Sequence, residues 1–147
     1  MMDSIDFKLS LFENEQDVER SKTALKLLLM TLVAIDLDYL KTHPLTPPLY
    51  QAGVKYMREP PGREWWQDIP TTLKLRNGDC EDLAAWRTAE LLHMGADAKI
   101  VLRERRMIEG NKEMLRFHII VYRPDTNAFE DPSLFLGMGK EDYKREG

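Results

Sequence analysis

Apolar residues recur at steps near three, four or seven along the first third of the chain, at Val18, Leu25, Leu28, Leu32, Ile35 and Tyr39. That spacing predicts one long helix with a broad apolar face, running to about Leu40. Ser10 with Glu13 three residues later has the form of a capping box, and Asn14 and Asp17 are alternative caps. The run "HPLTPP" stops the helix. Pro48 suits the first turn of a second, shorter helix over "PLYQAGVKYMRE", which "PPG" ends. Pro70 then starts a short helical turn. In residues 79–94 Asp79 is a good N-cap, Asp82 follows three residues later, and Glu81 and Asp82 put negative charge where the helix dipole favours it. Gly95 is placed to end this helix in a left-handed turn. Cys80 therefore falls at the first helical position, with Leu83, Ala84, Arg87 and Leu91 on its side.

After Gly95 the period changes from that of a helix to that of a strand. "AKIVLRER" and "MLRFHIIVYR", joined by "MIEGNKE", predict an antiparallel hairpin, and "PDTN" turns the chain into a short third strand, "AFEDPS". Leu115, Phe117, Ile119 and Val121 share one wholly apolar face of the second strand. Arg116, His118, Ile120 and Tyr122 take the other, so His118 faces away from the main core. Helices followed by an antiparallel sheet predict an α+β domain, with N-terminal helices and a central Cys-bearing helix packed on a small sheet.

A chain of 147 residues, 43% hydrophobic and 31% charged, fits one soluble domain that needs no disulfide or structural metal, and its single cysteine forms no internal disulfide. The net charge of −4 gives no general attraction to phosphate backbones, so nucleic acid is not an expected partner. Arg103, Arg105 and Arg106, with Glu104 among them, read as a solvated strand end. The opening "MMDSIDFKLS" lacks the basic start and apolar core of an export signal, which predicts a cytoplasmic protein. The most apolar run, residues 25–35, is interrupted by Lys26 and Thr31 and is short of a membrane span.

Those bounds leave the question of Cys80. A helix N-terminus or a nearby histidine favours a thiolate, whereas Asp79, Glu81 and Asp82 oppose it, so activation calls for a cationic imidazole or a metal ion that neutralises the acids. His43 lies in a proline-rich turn and His93 near a helix C-terminus. His118, on a central strand, is the histidine held rigidly enough to act as a base, and Glu130 or Asp131 on the next strand stands ready to orient it. Each residue also has a plainer reading: a lone Cys as a small buried hydrophobe, His118 as structural, the three acids as caps.

The segment "WWQDIPTTLKLRNGDCEDLAAWRTAELLHMGADAKIVL", then "FHIIVY", then "FEDPS", resembles the transglutaminase-like cysteine protease superfamily, particularly the bacterial transglutaminase-like cysteine proteinases that include the LapG-type proteases. The resemblance spans roughly residues 65–134 and centres on "GDCED". It implies one transglutaminase-like domain over residues 1–147, with a helical part at 1–62 and a Cys-His-Asp core at 63–147 in a papain-like arrangement. It further implies Cys80 as nucleophile, His118 as base, Asp131 as orienting acid, and calcium held by Asp79, Glu81 and Asp82. For the oxyanion donor the Cys80 backbone N–H is the natural choice, with Gln67 or Trp66 adding a side-chain donor. Small cytoplasmic versions of this fold occur among bacteriophage virion and assembly genes, and inactive members exist.

Two functions follow as expectations. The first is a cysteine hydrolase, peptidase or transglutaminase, acting on a protein amide through a thioester. The second is a bacteriophage virion or assembly protein that uses the fold as an interaction module. A calcium-responsive regulatory domain is a third reading. In each the partner is a protein rather than nucleic acid or a membrane.

Overall fold

The computed structural model describes residues 15–59, 65–110 and 112–139. Helix α1 (Glu15–Thr42) is followed by a 3-10 turn (Leu49–Gln51), strand β1 (Lys55–Tyr56), helix α2 (Ile69–Leu75), strand β2 (Asn77–Gly78) and helix α3 (Cys80–His93). Strands β3 (Lys99–Glu109), β4 (Lys112–Arg123) and β5 (Ala128–Glu130) then lead to the single turn of α4 (Pro132–Phe135). The chain is thus α+β. β3, β4 and β5 form one antiparallel sheet in that order, while β1 and β2 pair in parallel as a separate ribbon.

Helix α3 is the centre of the core. Leu83, Ala84, Ala85, Trp86, Ala89 and Leu91 are all buried, and they meet Leu29, Leu32, Val33 and Leu40 of α1 on one side and Ile119 and Val121 of β4 on another. Each fully buried large apolar side chain contributes roughly 1.5–3 kcal/mol relative to exposure. A cap is worth about 1 kcal/mol, so packing holds α3 in place and capping decides where it starts. At its far end Gly95 takes φ +85°, and its N–H and that of Ala96 close back on Leu92 and Leu91, the expected left-handed stop.

Several expectations need correction. The long helix forms, yet its buried stripe runs through Leu29, Leu32, Val33, Asp36 and Leu40, leaving Leu28 and Ile35 half-buried. An acid sits at the middle of that stripe and displaces the apolar pattern read from the sequence. The second helix does not form. Gly53 at φ +72° ends the 3-10 turn after Gln51, and Val54 and Tyr56 enter the core on alternate positions around an exposed Lys55. Their backbone is bonded outside the segment: Lys55 N–H donates to Arg76, Met57 N–H to Gly78 and Tyr56 N–H to Leu136. The hairpin connection is also shorter than "MIEGNKE", because pairing continues to Glu109 opposite Lys112. Ser10, Glu13, Asn14 and the "PPG" stop lie outside the described residues. Among the described residues no helix is long and apolar enough to cross a membrane.

Candidate active site

The start of α3 is fixed by a reciprocal cap. Asp79, in extended backbone (φ −88°, ψ 178°), accepts from the Cys80 N–H at 2.7 Å, and Asp82 Oδ2 accepts from the Asp79 N–H at 2.9 Å. The other oxygen of Asp82 accepts from the Gln67 N–H at 2.7 Å, which ties the preceding segment to the same turn. Gly78 makes this approach possible. A Cβ there would stand 3.1–3.3 Å from Leu83 Cδ2, Asp82 Cβ and Thr72 Cγ2 at once. Burial followed by the nearby Glu81 charge pushes the Asp82 carboxyl well above its usual range, and the two backbone N–H bonds oppose that shift.

Cys80 is partly buried against β4. Its Sγ donates to Glu81 Oε2 at 3.0 Å, and the backbone amide of Ile119 lies on the side of the sulfur where it favours the thiolate. Burial is the first cause that pushes the thiol well above its ordinary pKa; the charges of Glu81 and Asp79 and the bond to Glu81 push it further, and the Ile119 amide opposes them. At neutral pH the resting group is therefore the thiol. The helix terminus alone does not make it a thiolate.

The residue before Ile119 is His118, paired in register with Arg103 and set on the sheet face away from Ile119 and Val121. His118 Nε2 lies 2.7 Å from Asp131 Oδ2, with each side chain about three-quarters buried. Asp131 is held at a second point, since its Oδ1 accepts from Leu134 N–H at 3.1 Å as the N-cap of α4. With Nε2 donating to the carboxylate, Nδ1 is the nitrogen left free of Asp131 and suited to receive a proton. Of the two acids considered as orienting partner, Asp131 meets the histidine. Glu130 turns instead to Arg87, at 2.8 Å from Nε to Oε1.

The remaining candidates are placed as follows. Gln67 directs its side-chain nitrogen to Thr72 Oγ1 at 3.2 Å and the Asn77 carbonyl at 2.9 Å, so it ties β2 to α2. Trp66 packs against the core. The Cys80 N–H is engaged by Asp79 at rest, and the backbone donor that reaches the sulfur is that of Ile119. Asp79, Cys80 and Glu81 offer ligand atoms within 4.8 Å of one another, whereas Asp82 spends both oxygens on backbone N–H groups. His43 stacks on Tyr39 at the end of α1, and His93 closes α3.

Sequence reasoning missed the polar cluster beside the site. Tyr50 Oη and Arg87 Nε both donate to Glu130 Oε1 at 2.8 Å, Arg87 Nη1 donates to Glu90 Oε1 at 2.8 Å, and Glu90 Oε2 accepts from Leu49 N–H at 2.9 Å. The available signal was Arg87 itself, a cation two turns after Cys80 on a helix side otherwise made of Leu and Ala. No protein-family model, no curated protein and no solved structure matches this chain.

Proposed function

We propose that the protein is a cysteine hydrolase with a transglutaminase-like core, in which Cys80, His118 and Asp131 act on an amide of a protein. The observation that carries the reading is the 2.7 Å His118–Asp131 bond on the strand whose next backbone amide contacts the Cys80 sulfur. A nucleophile at a helix start, a base on a strand and an acid that fixes the base's tautomer are the parts an acyl transfer needs.

In the proposed cycle the Cys80 thiol passes its proton to His118 Nδ1 as the sulfur attacks the carbonyl carbon. The tetrahedral adduct collapses, the C–N bond breaks, and the imidazolium gives the proton to the departing amine. Water, deprotonated by His118, then attacks the thioester, the C–S bond breaks, the proton returns to sulfur, and the carboxylic acid released loses its remaining proton to solvent. An amine in place of water makes the same site a transglutaminase. Because burial, reinforced by Glu81 and Asp79, holds the thiol protonated, proton transfer belongs to the substrate-bound step rather than to the resting protein.

Calcium enters as a further proposal. Asp79 and Glu81 carry the hard oxygens that suit it, and the charge it supplies would offset the two carboxylates that raise the thiol. Titration calorimetry with calcium chloride tests this; no heat at millimolar concentration sinks it.

The central test is acyl transfer from p-nitrophenyl acetate, with mass spectrometry of the protein. An acetyl group on Cys80 that turns over, and that is lost in Cys80→Ser and His118→Ala, is the expected result. Acetylation at equal rates in wild type and His118→Ala overturns the enzyme reading. The protonated thiol bonded to Glu81 is the observation that favours the second reading, an interaction module built on the same fold, and absence of acyl transfer supports it. Addition of methylamine separates hydrolysis from transamidation by the product formed.

A further inference from the structure

The site reading requires Asp131 to stay on His118, yet the strand that delivers it is weakly held by its own pairing. β5 has three residues, matched only to Val121, Tyr122 and Arg123, and Ala128 and Phe129 are exposed. Asp131 lies one residue beyond the end of this strand. A short edge strand of that kind frays readily, so other contacts must fix where it ends.

Glu130 supplies them. Its Oε1 accepts from Arg87 Nε and Tyr50 Oη, both at 2.8 Å, and its Oε2 accepts from Arg87 Nη2 at 3.4 Å, with Arg123 Nη1 at 3.7 Å. The guanidinium is thus bidentate on the carboxylate, the geometry that gives an ion pair a defined orientation. Arg87 is itself anchored by Glu90 at 2.8 Å and lies over the Tyr50 ring at 5.0 Å. The side chains of Arg87 and Glu130 are 15% and 23% exposed, so solvent screens the pair less than it would on an open surface.

The topology of this pair sets it apart from an ordinary stabilising contact. Arg87 lies two turns after Cys80 on α3, and Glu130 is covalently next to Asp131. One guanidinium therefore spans from the element carrying the nucleophile to the residue next to the orienting acid, which itself holds His118 of β4. We propose that Arg87 and Glu130 are positioning residues, whose ion pair locks the end of β5 to the Cys80 helix so that Asp131 remains on His118 Nε2. This inference rests on Cys80, His118 and Asp131 being a thiol acyl-transfer site. Neither residue touches the reacting atoms.

The test combines two measurements on the full chain, the hydrogen-bonded His118 Nε2–H resonance in histidine-labelled protein and the rate of Cys80 acetylation by p-nitrophenyl acetate. In Arg87→Ala and Glu130→Ala that resonance is expected to disappear into solvent exchange while far-ultraviolet circular dichroism stays native. Acetylation is expected to fall by about tenfold or more, the scale that small misplacement of reacting groups produces. Glu130→Gln, which keeps an acceptor for Arg87 and Tyr50, should restore the resonance and part of the rate. An unchanged resonance and rate in both alanine variants overturn the proposal. If the alanine variants do not fold, Arg87→Lys decides the matter: it keeps the charge and loses the fork, and an unchanged resonance in it overturns the proposal equally. A wild type that shows the resonance, loses it in the variants and never acetylates Cys80 would instead overturn the enzyme reading and leave the positioning of Asp131 standing.

Discussion

Burial and the contact with Glu81 together set what the Cys80 thiol does at rest. A carboxylate accepting the thiol proton at 3.0 Å stabilises the protonated form by charge and by hydrogen bond together. Removing the charge therefore lowers the thiol pKa and raises the thiolate fraction at pH 7. Glu81→Gln is expected to react several-fold faster with iodoacetamide than wild type, measured as the rate of Cys80 carbamidomethylation, and the gap should close as the pH is raised until both thiols ionise. Equal rates at pH 7 would mean that burial alone holds the proton. Asp131 makes the complementary case, because one of its oxygens caps α4 and the other holds His118. Asp131→Ala loses both roles and is expected to cost about 1 kcal/mol of stability from the cap alone, read from urea unfolding. Asp131→Asn keeps an oxygen for one of the two and should fall between alanine and wild type.

Among the elements, α3 depends on the close approach of Gly78 to its first turn. A methyl group at that position meets three neighbours at 3.1–3.3 Å, two of them on α3, so the chain must shift by a few tenths of an ångström. Gly78→Ala is expected to destabilise the fold by about 1–3 kcal/mol, the range for overpacking, and to slow any Cys80 acylation more than a surface change of similar cost. A midpoint of unfolding unchanged from wild type would show that Thr72 and Leu83 yield without penalty. α3 was legible in the sequence because its limits are local chemistry: Asp79 and Asp82 at one end, Gly95 at the other. The β3–β4 hairpin was legible for a similar reason, as long branched runs leave little alternative. β1 was not, since its two residues gain strand character only from Asn77 and Gly78 and from the Leu136 carbonyl, all distant in sequence. At the site, the order of Cys80, His118 and Asp131 was readable. The residues alone leave Glu130 and Asp131 open and the resemblance points to Asp131, whereas the Arg87 link to Glu130 depends on how β5 meets α3, which no local pattern encodes.

For the molecule as a whole, α1 is joined to α2 partly through a buried acid. Asp36 is fully buried on the core face of α1, its Oδ1 accepts from the Ile69 N–H at 3.0 Å at the start of α2, and its Oδ2 has no hydrogen-bond partner among the described residues. Burial pushes its carboxyl well above the usual range, the Ile69 bond opposes this, and the charge of Asp68 adds to the rise. A carboxyl whose folded pKa is raised binds its proton more tightly when folded than when unfolded. Its contribution is fully present below the unfolded pKa, near 3.9, and is lost as pH rises through the folded value, at up to about 1.4 kcal/mol per pH unit. Glu130, lowered by Arg87 and Tyr50 against the effect of burial, works in the opposite sense and weakens the fold as pH falls. The two overlap in a single stability curve, so the difference between wild type and Asp36→Asn is the informative quantity. Asparagine keeps the acceptor for Ile69 and has no proton to lose. The variant is expected to match wild type to within a small constant near pH 4 and to become progressively more stable than it toward pH 8, measured by urea unfolding at half-unit steps. Parallel curves across that range would mean that Asp36 ionises in the folded protein as readily as in the unfolded chain, and that its burial between α1 and α2 costs the fold nothing.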